Sequence, residues 1–336
     1  MLEWIQTTMN PAGYHGRRVR PPFFEGWYFK LVSPGEGARF AFIPGISLAS
    51  DPAHSHAFVQ VLDGMTGAST YHTYPVGEFW AAKRGFEIHV GPNRFSASGV
   101  TLDIPSLELP VRGAVRFANP SPVPWPVTPA SPGIMGWYGW IPFMECYHGV
   151  LSFDHGLDGA LEIDGRRVDF TGGRGYIEKD WGRSFPAAWV WFQTNHFAEP
   201  GVCLTASLAV IPWRKSAFPG CIVGLWHSGR LYRFATYTGA RTRGLEVDDT
   251  SVRWEIAGNG LVLEMLARRG RGGLLQAPTP TGMDRRIAET LDARVRVCLR
   301  QEDGAVLYEG EGGAAGLEAV GDMDRLRTMI FPQPRQ

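Results

Sequence analysis

The stretch Gly175-Tyr-Ile-Glu-Lys-Asp-Trp-Gly-Arg-Ser-Phe-Pro186 sets two carboxylates, Glu178 and Asp180, and one ammonium, Lys179, among Tyr176, Trp181 and Phe185, with Trp189 and Trp191 close behind. Charged side chains are seldom placed among aromatic ones unless they are paired or used. Apolar surroundings raise a carboxyl pKa, and a neighbouring cation lowers it. A carboxyl group kept protonated near neutrality can act as a general acid. Aromatic faces can stabilise a cation beside them. An acid in an aromatic setting therefore suits addition to an alkene through carbocation character. The competing reading is that Glu178, Lys179, Asp180 and Arg183 form an ion-pair cluster that only holds the fold, and spacing alone favours it.

The elements that must position these residues read as strands. If Tyr176 to Trp181 is extended, side chains alternate between faces. Tyr176, Glu178 and Asp180 then share one face, and Ile177, Lys179 and Trp181 the other. Gly182 to Pro186 forms a turn into a second strand. That strand carries Trp189, Trp191, Gln193, Asn195 and Phe197 on one side. Earlier, Phe23 to Val32 puts Glu25 in a row with Phe23, Trp27, Phe29 and Leu31. A single acid in an apolar row is either paired to an arginine at a barrel mouth or turned toward a ligand cavity. A third aromatic stretch, residues 136–148, holds Glu145.

The rest of the chain repeats the pattern. Residues 39–48, 56–62, 69–76, 100–104, 107–117, 147–153 and 160–163 read as strands, and Asp164-Gly165 is a hairpin turn signal. More strands are expected at 202–211, 221–227, 230–237, 251–256, 261–266, 293–299, 305–309 and 316–320. Only 283–291 and 322–328 have the composition of short helices, and residues 1–22 read as an irregular arm. Six prolines in 119–133 make a stiff loop. About a dozen strands before residue 180 and nine after it suggest two β units, 1–180 with the arm and 181–336.

Composition narrows the function. Lys plus Arg and Asp plus Glu both number 33, so the net charge is zero and a nucleic-acid partner is not expected. The 4 cysteines form no C-x-x-C, and no signal peptide opens the sequence, which reads as a reduced, cytoplasmic protein. No apolar run is long enough to span a bilayer, so membrane contact is expected to be peripheral at most. Nucleotide and serine-hydrolase signatures are missing. Asp51, His54 and His56, or Cys146 with His148, are too few to define a metal site.

Phe23-Phe-Glu-Gly-Trp-Tyr-Phe29, preceded by Gly13-Tyr-His15, resembles the N-terminal signature of the tocopherol cyclase family. Residues 176–186 with Trp189-Val-Trp-Phe-Gln-Thr-Asn195 are similar to that family's central Glu-Lys-Asn-Trp-Gly, Phe-Pro and Trp-x-Trp-x-Gln motif. Asp180 stands where the plant enzymes carry Asn. Leu275-Gln-Ala-Pro-Thr279 and Gly316-Leu-Glu-Ala-Val320 resemble two later landmarks.

The resemblance, which extends to the group containing hydroxyneurosporene synthase, implies an all-β fold of two lipocalin-like antiparallel barrels packed together. It implies closure of a prenylated hydroquinone to a chromanol, with no cofactor and no metal. On that reading the acid is Glu178 or Asp180, with Glu25 third. Lys179 and Arg183 tune or orient it. Trp27, Tyr176, Trp181, Trp189 and Trp191 line a cavity for a hydrophobic prenyl-lipid ligand, and Gln193 and Asn195 hold the phenol oxygens. A hydratase or isomerase acting on an isoprenoid, and a non-catalytic lipid carrier, are the alternatives. Oligomeric state is left unassigned.

Overall fold

The computed structural model describes residues 2–118 and 125–332. Two compact units form, one from residues 1–185 with 273–286 and one from 186–272 with 287–336. Both are antiparallel β structures.

In the first unit a short helix, α1 (Leu2–Thr8), leads through an arm into β1 (Phe23–Val32), β2 (Arg39–Leu48), β3 (His56–Asp63) and β4 (Ser69–Tyr74). Next come β5 (Phe79–Ala81), β6 (Glu87–Val90), β7 (Asn93–Ser96), β8 (Gly99–Ile104) and β9 (Val111–Ala118). A two-strand ribbon, β10 (Val127–Thr128) with β11 (Ser131–Pro132), precedes β12 (Cys146–Ile163), β13 (Arg166–Asp169) and β14 (Arg174–Gly182). The sheet runs β4-β3-β2-β1-β14-β12-β9-β8-β7-β6-β5, with β13 on β12. Its one interior face is a core of Trp27, Phe29, Phe42, Phe95, Leu161 and Ile177, among others. No ladder joins β4 to β5 among the described residues. Instead Asn93 Nδ2 on β7 donates to Tyr74 Oη on β4 at 3.1 Å, so the curled sheet meets itself through side chains.

The second unit holds β15 (Trp189–Thr194), β16 (His196–Phe197), β17 (Cys203–Trp213), β18 (Ser216–His227), β19 (Arg230–Ala235), β20 (Arg241–Val247), β21 (Ser251–Gly258) and β22 (Leu261–Arg268). β23 (Gly272–Ala277), which runs into the 273–286 segment of the first unit, is followed by β24 (Arg285–Gln301), β25 (Val306–Val320) and helix α2 (Met323–Ile330). Its order is β19-β18-β17-β15-β25-β24-β22-β21-β20. Val190, Phe192, Leu204, Val223, Trp254 and Val295 are among its core residues.

The all-β, lipocalin-like expectation is met, and several local expectations are corrected. Residues 283–291 are not helical, because the inward row Val295, Ala293 and Leu291 continues back through Glu289 to Ile287 and keeps β24 extended. Residues 147–153 and 160–163 belong to one strand, β12, whose register shifts between Val150 and Ser152 and again before His155. Pro105 and Pro110 bracket a break before β9, and Leu107 is fully exposed. Residues 2–8 of the arm are helical. The 164–165 turn forms as expected, with Asp164 at φ 50° and Gly165 at φ 70°, the left-handed pair of a two-residue hairpin. Of the proline-rich stretch, residues 119–124 lie outside the described ones.

Candidate active site

Strand register brings together residues that are distant in sequence. β1 lies against β14 with Glu25 opposite Trp181, Trp27 opposite Lys179 and Tyr28 opposite Glu178. On its other edge β14 meets β12, with Tyr147 opposite Trp181, His148 opposite Asp180 and Val150 opposite Glu178. Residues directly opposite one another share a face. The expected split of β14 is therefore present, and it separates two polar clusters on the two faces of one sheet.

The core-facing cluster is a buried ion pair. Glu25 and Lys179 are both 0% exposed, and Lys179 Nζ donates to Glu25 Oε1. Lys179 also donates to Gly13 O at 2.6 Å and lies 3.0 Å from His15 Nδ1. Its Nζ sits 4.7 Å from the centre of the Trp27 ring and 4.6 Å from that of Trp181. The backbone N–H of His15 reaches both Glu25 oxygens, at 2.8 and 3.1 Å, and the His15 ring stacks on Trp181 at 4.2 Å. Burial pushes the Glu25 carboxyl upward, but the Lys179 ammonium and His15 outweigh it and hold Glu25 below its ordinary value. Burial lowers Lys179, with Glu25 opposing. Burial and then the Lys179 charge lower His15, which is thus neutral at pH 7. An ionised carboxylate fully committed to a buried ammonium is poorly suited to donate a proton. Glu25 takes a structural role here, pinning the N-terminal arm to β1 and β14. Its partner is a lysine, not the arginine considered from the sequence.

The opposite face carries a line of proton-bearing groups. Tyr176 Oη donates to Glu178 Oε2 at 2.5 Å. His148 Nε2 lies 3.7 Å from the same oxygen, and His148 Nδ1 lies 2.8 Å from Asp180 Oδ1. Tyr176 and Glu178 are buried, while Asp180 and His148 are partly accessible. This face also buries Tyr28 and Lys30. Glu145, just before β12, is half-buried, and burial raises its carboxyl above the ordinary value.

His148, Glu178 and Asp180 each offer a metal-ligand atom within 4.8 Å of the others. However, the two ring nitrogens address different carboxylates, and one ion takes only one nitrogen of an imidazole. One ring nitrogen with the two carboxylates is still a candidate ligand set, since those atoms lie within 4.8 Å of one another. The other metal candidates do not converge. Asp51 caps a turn through Ala53 N, and His56 bonds Tyr71 Oη at 2.6 Å. Burial raises the Cys146 thiol well above its ordinary value, away from a ligating thiolate.

The remaining candidates divide. Trp27 is wholly buried in the first unit's core, 6.3 Å from Phe86, rather than lining open space. Trp181 is sandwiched between His15 and Tyr147. Arg183 is exposed in the turn after β14. Trp189, Trp191, Gln193 and Asn195 belong to the second unit and are all buried. On β15, Trp189, Trp191 and Gln193 occupy the face away from the core residues Val190 and Phe192, and Asn195 directly follows the strand. There Trp189 Nε1 donates to Glu318 Oε2 at 2.5 Å, and Asn195 Oδ1 lies 2.9 Å from His196 Nδ1. Sequence reasoning weighed His148 only as a weak metal candidate beside Cys146 and gave His15 no role. The signal for His148 was its place two residues beyond Cys146 in an aromatic strand, but only register pairs it with Asp180.

Residues 120–321, which include all four members of the Tyr176–Glu178–His148–Asp180 line, match the family described as tocopherol cyclase-like. The chain belongs to that family. Two plant relatives extend the match over most of the chain. The rice (Oryza sativa subsp. japonica) protein named "Probable tocopherol cyclase, chloroplastic" is 26% identical over 371 residues, covering 92% of this chain and 78% of its own. The tocopherol cyclase of Zea mays is 25% identical over 373 residues, covering 94% and 77%. Solved structures share the fold. CghA with Sch210972 aligns with a TM-score of 0.54 at 14% identity, covering 90% of this chain and 89% of that one. Kievitone hydratase from Nectria haematococca aligns at 0.51 and 9% identity, covering 94% and 92%. The matched range takes in Glu178 and Lys179, which lie on opposite faces of β14.

Proposed function

We propose that this protein is an acid catalyst of ring closure, adding the phenol oxygen of a prenylated hydroquinone across a trisubstituted alkene to give a chromanol. The observation that carries the reading is the line Tyr176–Glu178–His148–Asp180, hydrogen-bonded at each end and with 3.7 Å between His148 Nε2 and Glu178 Oε2 in the middle. A proton passes from this line to the less substituted alkene carbon. The tertiary cation that results is captured by the phenol oxygen, a C–O bond forms, and the phenol proton returns to the line. Substrate and product are isomers, no electrons are transferred, and the catalyst regains its proton. Glu178, shared with the family motif, is the donor, with Tyr176 bonded to one of its oxygens. His148 and Asp180 reload it from the more accessible side. Support comes from the family membership and from a geometry that strings four proton-carrying groups together.

The test is incubation with a prenylated hydroquinone in H2O and in D2O, followed by mass spectrometry. A chromanol of unchanged mass in H2O, carrying one deuterium on carbon when formed in D2O, is expected. A product heavier by one water identifies a hydratase, as the name of the kievitone enzyme would suggest. Tight binding of the hydroquinone with no product identifies a carrier. Either result overturns ring closure.

A further inference from the structure

Beside the arm, the first unit presents a surface that the chemistry above does not use. Arg17 Nη2 donates to the carbonyls of Ala81 and Ala82 at 2.6 and 2.7 Å, and the Tyr14 ring lies 5.0 Å from Phe79. These contacts fix residues 17–20 alongside β5 and the loop that follows it. Five cations, Arg17, Arg18, Arg20, Lys83 and Arg84, are exposed there. Residues 16–22 and 79–86 contain no acid. The bordering acids are Glu78, which is exposed, and Glu87, held 2.9 Å from His89 Nε2. Among the cations, Trp80 is 49% exposed and Val19 41%. In a chain of zero net charge this is a local concentration of positive charge with an indole and an aliphatic side chain turned to solvent.

We propose that this surface seats the protein on an anionic phospholipid bilayer. Cations within a Debye length of such a surface are attracted to it. Indole and aliphatic groups among them partition into the headgroup boundary. A nucleic acid fits less well, because Val19 has no use against a base and the chain as a whole has no basic excess. The inference does not depend on the ring-closure reading, since binding is measured without substrate.

The experiment is flotation of the full chain with vesicles of phosphatidylcholine alone and of phosphatidylcholine with about one-third phosphatidylglycerol. Binding to the mixed vesicles, no binding to the neutral ones and release by 0.5 M salt are expected. Replacing Arg20, Lys83 and Arg84 by Ser lowers partition on the order of 100-fold, at about fivefold per cation. Trp80→Ser lowers it by about tenfold. These positions are exposed, so melting temperature is unchanged. Equal binding to neutral vesicles, an unaffected triple variant, or binding to DNA in preference to vesicles overturns the proposal. So does loss of binding on Trp137→Ser with Phe143→Ser, another pair of exposed aromatic residues, while the Trp80 and cation variants bind normally.

Discussion

Replacing Lys179 by Met strands a carboxylate. Glu25 is 0% exposed, and once the ammonium is gone its remaining partner is His15, through the backbone N–H at 2.8 and 3.1 Å and ring Nδ1 at 3.3 Å. Replacing Glu25 by Leu strands the ammonium between two tryptophan rings, with Gly13 O at 2.6 Å as its chief acceptor. Removing one partner of a buried pair costs about 3–5 kcal/mol, because the other charge stays buried and uncompensated. Removing both, as in Lys179→Met with Glu25→Leu, leaves no buried charge, and is expected to cost less than either single change. The coupling is therefore at least about 3 kcal/mol. The assay is urea unfolding of the four proteins, with hydrogen exchange over residues 10–30 to locate the loss in the arm and β1. The pair also sets an acid limit. Glu25 titrates below its ordinary 4.5, so its contribution is complete above pH 4.5 and disappears as pH falls through the lower folded value. Single variants costing under about 1 kcal/mol, or a double variant equal to their sum, would falsify the claim that this pair is an isolated buried charge couple.

Further outcomes follow from the same geometry. Glu178→Gln and His148→Phe are expected to lower turnover of a prenylated hydroquinone by roughly 100- to 10,000-fold with melting little changed, and Asp180→Asn by less. Variants that melt early yet turn over normally when folded would make these groups structural. Turnover is expected to survive a chelator, checked by metal analysis of the active protein. His155 is buried with its Nε2 unpartnered among the described residues, and burial lowers it from 6.5 to about 4. The unfolded chain thus takes up this proton first, and about 3 kcal/mol is lost as pH falls from 6.5 to 4. His155→Phe should flatten that window in a pH series of melts. Gly175→Ala drives a methyl group into the His155 ring and should cost about 1–3 kcal/mol in urea.

The two faces of β14 were legible because alternation alone assigns them, and Tyr176, Glu178 and Asp180 do share a side. What alternation cannot assign is the neighbour across the ladder. His148 meets Asp180 through the β12 register, which two bulges further along the strand make hard to extrapolate. His15 lies in an arm with no periodicity to read, yet it reaches both members of the ion pair. Trp27 was placed on the correct row with Glu25, but a row of aromatics looks the same whether it fills a core or lines a cavity. The helix expected at 283–291 failed for a related reason. Arg-Arg-Ile-Ala-Glu-Thr-Leu has acceptable helix formers, but pairing along β24 overrides local preference.

The return of residues 273–286 to the first unit sets an order for synthesis. Gln60 on β3 bonds the backbone of Gln276 in both directions, Nε2 to its carbonyl at 2.9 Å and Oε1 from its N–H at 2.7 Å. Those bonds span 216 residues, so a ribosome must deliver most of the protein before β3 finds its partner. Until then the emerging chain holds every strand of the first sheet but lacks this contact on β3, and contacts this distant in sequence close slowly. A fragment ending at 185 would be left in the same state permanently. Dissection of this protein into separately expressed halves is therefore expected to yield a chaperone-dependent first half, rescued by supplying the 273–286 segment.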